Sequence, residues 1–282
     1  MAGNDPENRD GNRLGEFRNR PRETLALVDN AEGRIAGVSV IMPTLNEAGN
    51  IVSLIQSSVK AIQNAGVTEI EIIIVDDDSP DLTWEVASRV VAPPAQIEVI
   101  RRMDHHGLTL SLTEGIKAAR HNVIVWLDCD FSHPPECIPQ MLYMLDRGFD
   151  VVVNSRYVVG GGENRIGTGG ALQRFLSQLF NWVMRFILEP SFADYTSGFV
   201  AARKSVLQEI PLRGDYGEYF VDFIFRALHK KYKVCELPYL AMPRRSGVSK
   251  TGTHILQYLR RGRNYIGTIV RLRFATLFGR LQ

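Results

Sequence analysis

From residue 38 onward, short runs rich in Val and Ile alternate with longer stretches of helical period. Residues 38–42, 70–75, 97–101, 123–127 and 151–154 are too short for helices and β-branched enough for strands. Between them, 48–65, 82–91, 107–119 and 135–147 carry apolar residues at helical spacing. Near-continuous apolar strands joined by single helices predict an α/β fold with a mostly parallel sheet covered on both faces. In such sheets ligands bind beyond the carboxyl ends of the strands, so chemistry is sought just after each apolar run. Past residue 154 a Gly-rich loop (Gly160–Gly162, Gly167, Gly169, Gly170) leads to a long helix over 171–188 and a strand over 197–202. A helix over 218–230, a strand over 234–239, a basic loop over 243–250 and a basic helix over 254–274 complete the pattern. Residues 1–33 are polar and charged with few apolar positions, and are expected to form a disordered tail before a catalytic domain over 34–252 and a C-terminal segment over 253–282.

The most informative pair is Asp128 and Asp130, two residues apart after an apolar strand. On extended backbone both carboxylates lie on one side, where they suit a hard divalent cation, Mg²⁺ or Mn²⁺, that completes its shell with a nucleotide's phosphates. Asp76, Asp77 and Asp78 follow another strand directly. They read equally as ribose or base recognition and as turn and cap chemistry. Glu47, in the run PTLNE, suits a sugar or ribose hydroxyl, or a capping box with Thr44. Arg156 follows a fifth strand, where a guanidinium can take a phosphate or pair with a strand-end carboxylate. Asp194 lies before a short turn as an orienting carboxylate or a cap, and Arg244 and Lys250 lie in a loop suited to closing over a diphosphate. His105, His106 and His133 have no metal-ligand spacing and are read as local polar contacts.

Charge adds little: 33 Lys and Arg balance 31 Asp and Glu, so no nucleic-acid partner is implied. Three unpaired-looking cysteines and no apolar run of the ~18 residues a spanning helix needs predict a cytoplasmic protein. Residues 175–188 nevertheless carry more apolar surface than one core stripe requires, and the terminal helix mixes Arg260, Arg261, Arg263, Arg271, Arg273 and Arg280 with apolar positions. A peripheral contact with the cytosolic face of a membrane, or a small membrane-anchoring subunit, is expected beside ordinary core packing.

Taken in order, PTLNE, VDDDSPD, DCDFSHPPE, NSRY with its Gly-rich loop, DYTSGF and PRRSGVSK resemble the family 2 glycosyltransferases. Within these the likeness is greatest to dolichol-phosphate mannose synthases and polyprenyl-phosphate sugar transferases, from about Val38 to Gly252. The resemblance implies a GT-A type fold that transfers mannose from GDP-mannose to a polyprenyl phosphate with inversion and a divalent metal. It places Pro43, Leu45, Glu47, Asp76 and Asp77 around the nucleotide and Asp128 and Asp130 at the metal. Arg244, Ser249 and Lys250 fall in the closing loop, and Arg156, Arg174 and Ser177 at the lipid phosphate. Three departures stand out: Ser132 where the family often has Gln, Val200 where it often has Arg, and Gly107-Leu108-Thr109 in place of GLG. A UDP-sugar donor on the same scaffold, or a non-catalytic nucleotide-sugar-binding subunit, are the alternatives.

Overall fold

The computed structural model describes residues 35–164, 170–245 and 255–279, with backbone alone for 170–176 and 255–261. The expected tail over 1–33 lies outside the described residues. The first half is a run of alternating elements: β1 (Gly37–Thr44), α1 (Ile51–Asn64), β2 (Glu69–Asp76), α2 (Thr83–Ser88), β3 (Gln96–Arg101), α3 (Leu108–Ala118) and β4 (Val123–Trp126). A 3-10 turn at Pro135–Cys137 then leads into α4 (Ile138–Asp146), β5 (Val151–Ser155), β6 (Gly162–Glu163) and α5 (Gly170–Ile187). The chain continues through β7 (Val200–Arg203), α6 (Lys204–Glu209), α7 (Glu218–His229), β8 (Val234–Pro238), β9 (Leu240–Ala241) and α8 (Ile255–Leu277).

Seven strands form one sheet in the order β3-β2-β1-β4-β7-β5-β8, and β6 with β9 forms a small second one. All neighbours in the large sheet run parallel except β7, which is antiparallel to β4 and β5. The mostly parallel sheet expected from the alternation is therefore present. The antiparallel β7 was not legible from its four residues, because strand direction is set by where the chain re-enters the sheet.

The strands are apolar throughout because both faces are covered. Val38, Val40 and Met42 of β1 join Ile72 and Ile74 of β2 in a core shared with α1 and α4. Ile41, Ile73, Ile124 and Trp126 point to the other face, packed against α3, α5 and α7. Helices end where their apolar period ends: α2 covers Thr83–Ser88 and not 82–91, since Val90 and Val91 leave the helix before cis-Pro94. The capping box of Thr44 and Glu47 does not form. Thr44 Oγ1 donates to Asp76 across the sheet, and α1 starts at Ile51 without a side-chain cap.

Gly115 fixes how closely α3 lies on β1: a β-carbon there would come within 2.5 Å of Cγ2 of the buried Ile41. Gly115→Ala is expected to lower stability by about 1–3 kcal/mol despite its better helix propensity, because overpacking forces the core to move. Thermal unfolding checks this, with an expected fall in Tm of roughly 2–4 °C per kcal/mol for a domain of this size.

Candidate active site

The carboxyl edge of the sheet collects the acidic residues, and the strand register says which meet. β1 and β2 pair with Thr44 opposite Asp76, and β2 and β3 with Asp76 opposite Arg101. Asp76 is fully buried; its carboxylate accepts from Thr44 Oγ1 at 2.7 Å, Ser79 N at 2.7 Å and Ser79 Oγ at 2.6 Å. Asp77, one residue beyond the register, meets Arg102, one residue beyond β3, at 2.5 Å. Its carboxylate also accepts from Gly107 N at 2.7 Å and Ser111 Oγ at 2.8 Å. Arg102 in turn reaches Glu114 at 2.9 Å and the His105 carbonyl. Both aspartates thus hold the carboxyl edge of the sheet together through internal partners. Gly107 begins α3 at φ 154°, a conformation that favours glycine. Turn contacts are present just beyond this run: Asp81 accepts from Thr83 N at 3.1 Å and from Ala48 N at 3.0 Å.

Beyond β4 the acidic pair is split in environment. Asp128 has a half-exposed side chain, whereas Asp130 is buried. Asp130 Oδ1 accepts from Ser132 N at 2.8 Å, and Oδ2 pairs with Arg244 Nη2 at 2.7 Å. Burial pushes the Asp130 carboxyl up, but the hydrogen bonds from Ser132 and the charge of Arg244 outweigh it and hold it below the usual carboxylate value. Ser132 therefore orients Asp130 from the protein side. Arg244 Nη1 lies 3.8 Å from Glu47 Oε1, so one guanidinium bridges the ends of β1 and β4. The segment over 242–245 is tied down nearby: Met242 N donates to Ser132 O at 3.3 Å, Arg245 N to Asp130 O at 3.0 Å, and the Arg245 guanidinium rests 4.2 Å from the Phe131 ring centre. Pro43 O accepts from Cys129 Sγ at 3.4 Å, and Leu45 is 37% exposed, leaving an apolar side chain open at the same edge.

Oxygen donors of this kind suit Mg²⁺ or Mn²⁺. Among the described residues no group of three or more His, Cys, Asp and Glu is placed to hold a metal ion. The arrangement fits a cation brought to Asp128 and Asp130 with its remaining shell filled by phosphate and water, and Arg244 now supplies positive charge at that place.

Arg156 is buried beyond β5 in a second polar cluster. Its Nε and Nη2 each donate to Asp194 at 2.8 Å in a bidentate pair, Nη2 reaches Thr196 Oγ1 at 2.6 Å, and Nη1 reaches Glu163 at 2.9 Å. Asp194 is completely buried and also accepts from Arg156 N and Thr196 N. Burial pushes the Asp194 carboxyl up, but the Arg156 charge beside it outweighs this and holds it below the usual range; the same pairing raises Arg156. Asn181 of α5 donates to Thr196 Oγ1 at 2.9 Å, and Ser177 of α5 bonds Tyr157 Oη at 3.0 Å. Arg174 lies on α5, but its side chain, like Ser249 and Lys250, lies outside the described residues. Arg102, Glu163 and Asn181 were missed from sequence. For Arg102 a signal existed, a base directly after one strand beside acids directly after its neighbour; for Glu163 none did, since the β6–β9 pairing that places it is two residues long.

A mostly parallel sheet with a split acidic pair at its carboxyl edge defines a GT-A type glycosyltransferase. Residues 39–211 match the model of the glycosyl transferase family 2, and the chain belongs to that family. It is 35% identical over 79% of its length to a dolichol-phosphate mannosyltransferase of Pyrococcus furiosus, of which it spans 62%. It is 33% identical over 77% of its length to a polyprenol monophosphomannose synthase of Mycolicibacterium smegmatis, of which it spans 82%. Among solved structures, a glucosyl-3-phosphoglycerate synthase of Mycobacterium tuberculosis in complex with Mn²⁺, uridine diphosphate and phosphoglyceric acid shares the fold. Its TM-score is 0.62 at 19% identity, covering 85% of this chain and 78% of that one.

Asp194→Asn is expected to cost about 3–5 kcal/mol at pH 7, because it leaves the Arg156 guanidinium buried beside a weaker partner. Because the native Asp194 carboxyl is depressed, its stabilisation is present above its unfolded value, about 4, and is lost as pH falls through the native value. Urea unfolding of both proteins should therefore show the gap narrowing in acid.

Proposed function

We propose that the chain transfers mannose from GDP-mannose to the phosphate of a dolichyl or other polyprenyl lipid, with inversion and in a metal-dependent way. The observation that carries this is the acidic pair Asp128 and Asp130 at the sheet edge, with Asp130 bridged by Arg244 to Glu47. The names of the two curated relatives support the mannose donor and the lipid acceptor. A Mg²⁺ or Mn²⁺ ion held by Asp128 and Asp130 would supply Lewis-acid stabilisation of the departing diphosphate.

The chain's own residues do the rest. Asp130, kept anionic by Ser132 and Arg244, would hold the ion that meets the donor's diphosphate, and Arg244 is close enough to Asp130 and Glu47 to exchange them for that diphosphate. Glu47, with Pro43 and Leu45 on the same strand end, faces the nucleotide, while Asp76 and Asp77 hold that wall in shape; Ser249 and Lys250 belong to the loop that closes it. An acceptor phosphate is already anionic at neutral pH, so positioning replaces general-base catalysis. It is met on the α5 side by Arg174 and Ser177 with Arg156, where Glu163 must yield if the phosphate is to reach the guanidinium that Asp194 orients.

The lipid is reached at a surface that α5 and α8 share. Phe180 and Tyr265 join the two helices edge to face at 4.9 Å. Met184 and Leu188 pack inward, while Trp182 and Phe186 stack outward at 64% and 77% exposure. On α8, Ile269 and Leu272 pack inward, and Ile266, Val270, Phe274 and Leu277 face out beside Arg263 and Arg273. That double-sided pattern, with basic residues at its margin, suits the cytosolic surface of an anionic leaflet, with or without a small anchoring subunit. Among the described residues no helix is long and apolar enough to cross a membrane.

Labelled sugar from GDP-mannose, UDP-glucose and UDP-N-acetylglucosamine, offered with a polyprenyl phosphate, tests the reaction. Organic-extractable label from GDP-mannose, abolished by EDTA and reduced at least ~100-fold in Asp130→Asn, is expected; label from a UDP-sugar alone would overturn the donor. Trp182→Ser with Phe186→Ser should weaken sedimentation with anionic vesicles by roughly a hundredfold or more, each buried aromatic contributing about 1.5–3 kcal/mol, while leaving the melting temperature within a few degrees.

A further inference from the structure

The histidine of the DCDFSHPPE run is built into the cation site. His133 is 4% exposed, and its Nδ1 accepts the backbone N–H of Asp128 at 3.0 Å. A ring nitrogen that accepts carries no proton, so the ring proton is on Nε2, and Nε2 lies 3.9 Å from Asp128 Oδ2. At that distance the contact is Coulombic and not a hydrogen bond. The ring has little freedom to turn away: it stacks on the buried Phe199 at 5.0 Å and 13°, and meets Tyr239 edge to face at 5.9 Å. Phe199 precedes β7 and Tyr239 follows β8, so the imidazole ties the 128–133 turn to two other strands.

We propose that His133 is a positioning residue for the cation carboxylates. By accepting the Asp128 N–H it fixes the backbone of the turn that carries Asp128 and Asp130. Outer partners of metal ligands act in this way, and their loss typically weakens metal binding about 10–100-fold. The proposal rests on the reading of Asp128 and Asp130 as the cation pair.

The test is Mn²⁺ binding to the full chain, followed by the electron paramagnetic resonance of free Mn²⁺ with GDP or UDP present, alongside thermal unfolding. His133→Asn places an acceptor where Nδ1 was and should stay within about threefold of the wild type, whereas His133→Leu should lose roughly 10–100-fold. If His133→Leu does not fold, His133→Gln, whose amide reaches the Nε2 position but not Nδ1, takes its place with the same expectation. Wild-type binding that disappears in Asp130→Asn but is unchanged in the Leu or Gln variant, even with a lower Tm, would show that His133 only supports the fold. An Asn variant as weak as Leu would also overturn the proposal. Absence of Mn²⁺ binding to the wild type with either nucleotide would instead remove the cation-site reading on which it stands.

Discussion

Charge buried at the carboxyl edge of a parallel sheet must be met by donors, and that constraint shapes everything around the pocket. Asp76, Asp77, Asp130 and Asp194 are all nearly inaccessible, and each is answered differently. Asp76 uses hydroxyls and a backbone N–H supplied by the strand and turn beside it. Asp77 uses an arginine, and that arginine also holds the residues leading into α3. Asp194 uses a bidentate guanidinium whose remaining donors serve Glu163 and Thr196. Asp130 is the exception, since its main cationic partner, Arg244, comes from the segment after β9 and not from the sheet.

That exception separates walls from working groups. A carboxylate satisfied by its own strand end has nothing to offer a ligand without unfolding part of the edge. Asp130 can exchange a guanidinium on a neighbouring segment for another cation while its Ser132 hydrogen bond stays in place. Glu47 shares the same arginine at longer range. Under the proposed function a divalent ion takes the place of Arg244 at Asp130, after which Arg244 is available to the diphosphate.

Sequence periodicity carried the fold a long way because strands buried on both faces read as unbroken Val and Ile runs. β1, β2, β4 and β5 lie where those runs lie. What it could not carry was direction and short pairing. β7 re-enters antiparallel, and β6 and β9 pair over two residues, yet these place Phe199 and Glu163. The acidic run after β2 was visible, but its use was not, because spacing does not distinguish a carboxylate facing a ligand from one facing Arg102. His133 was read as a local polar contact, which is geometrically right; only its neighbours Phe199 and Tyr239, distant in sequence, show that it is immobilised.

The same two-sidedness that hides function in the sheet reveals it in the helices. A helix that only covers a core needs one apolar stripe, and Met184 on α5, with Leu188 just past its end, already supplies it, as Ile269 and Leu272 do on α8. The second stripes are aromatic and aliphatic residues facing water next to arginines, an arrangement that fold stability does not require. Arg271 shows how the helix is held while its outer face stays open: its guanidinium pairs with the buried Asp222 of α7 at 2.9 Å, an anion that Arg226 already pairs at 2.6 Å. Anchoring α8 through a charge on its flank leaves the apolar stripe exposed, and under the proposed function an exposed apolar surface beside basic side chains is where a lipid acceptor would be met at its bilayer.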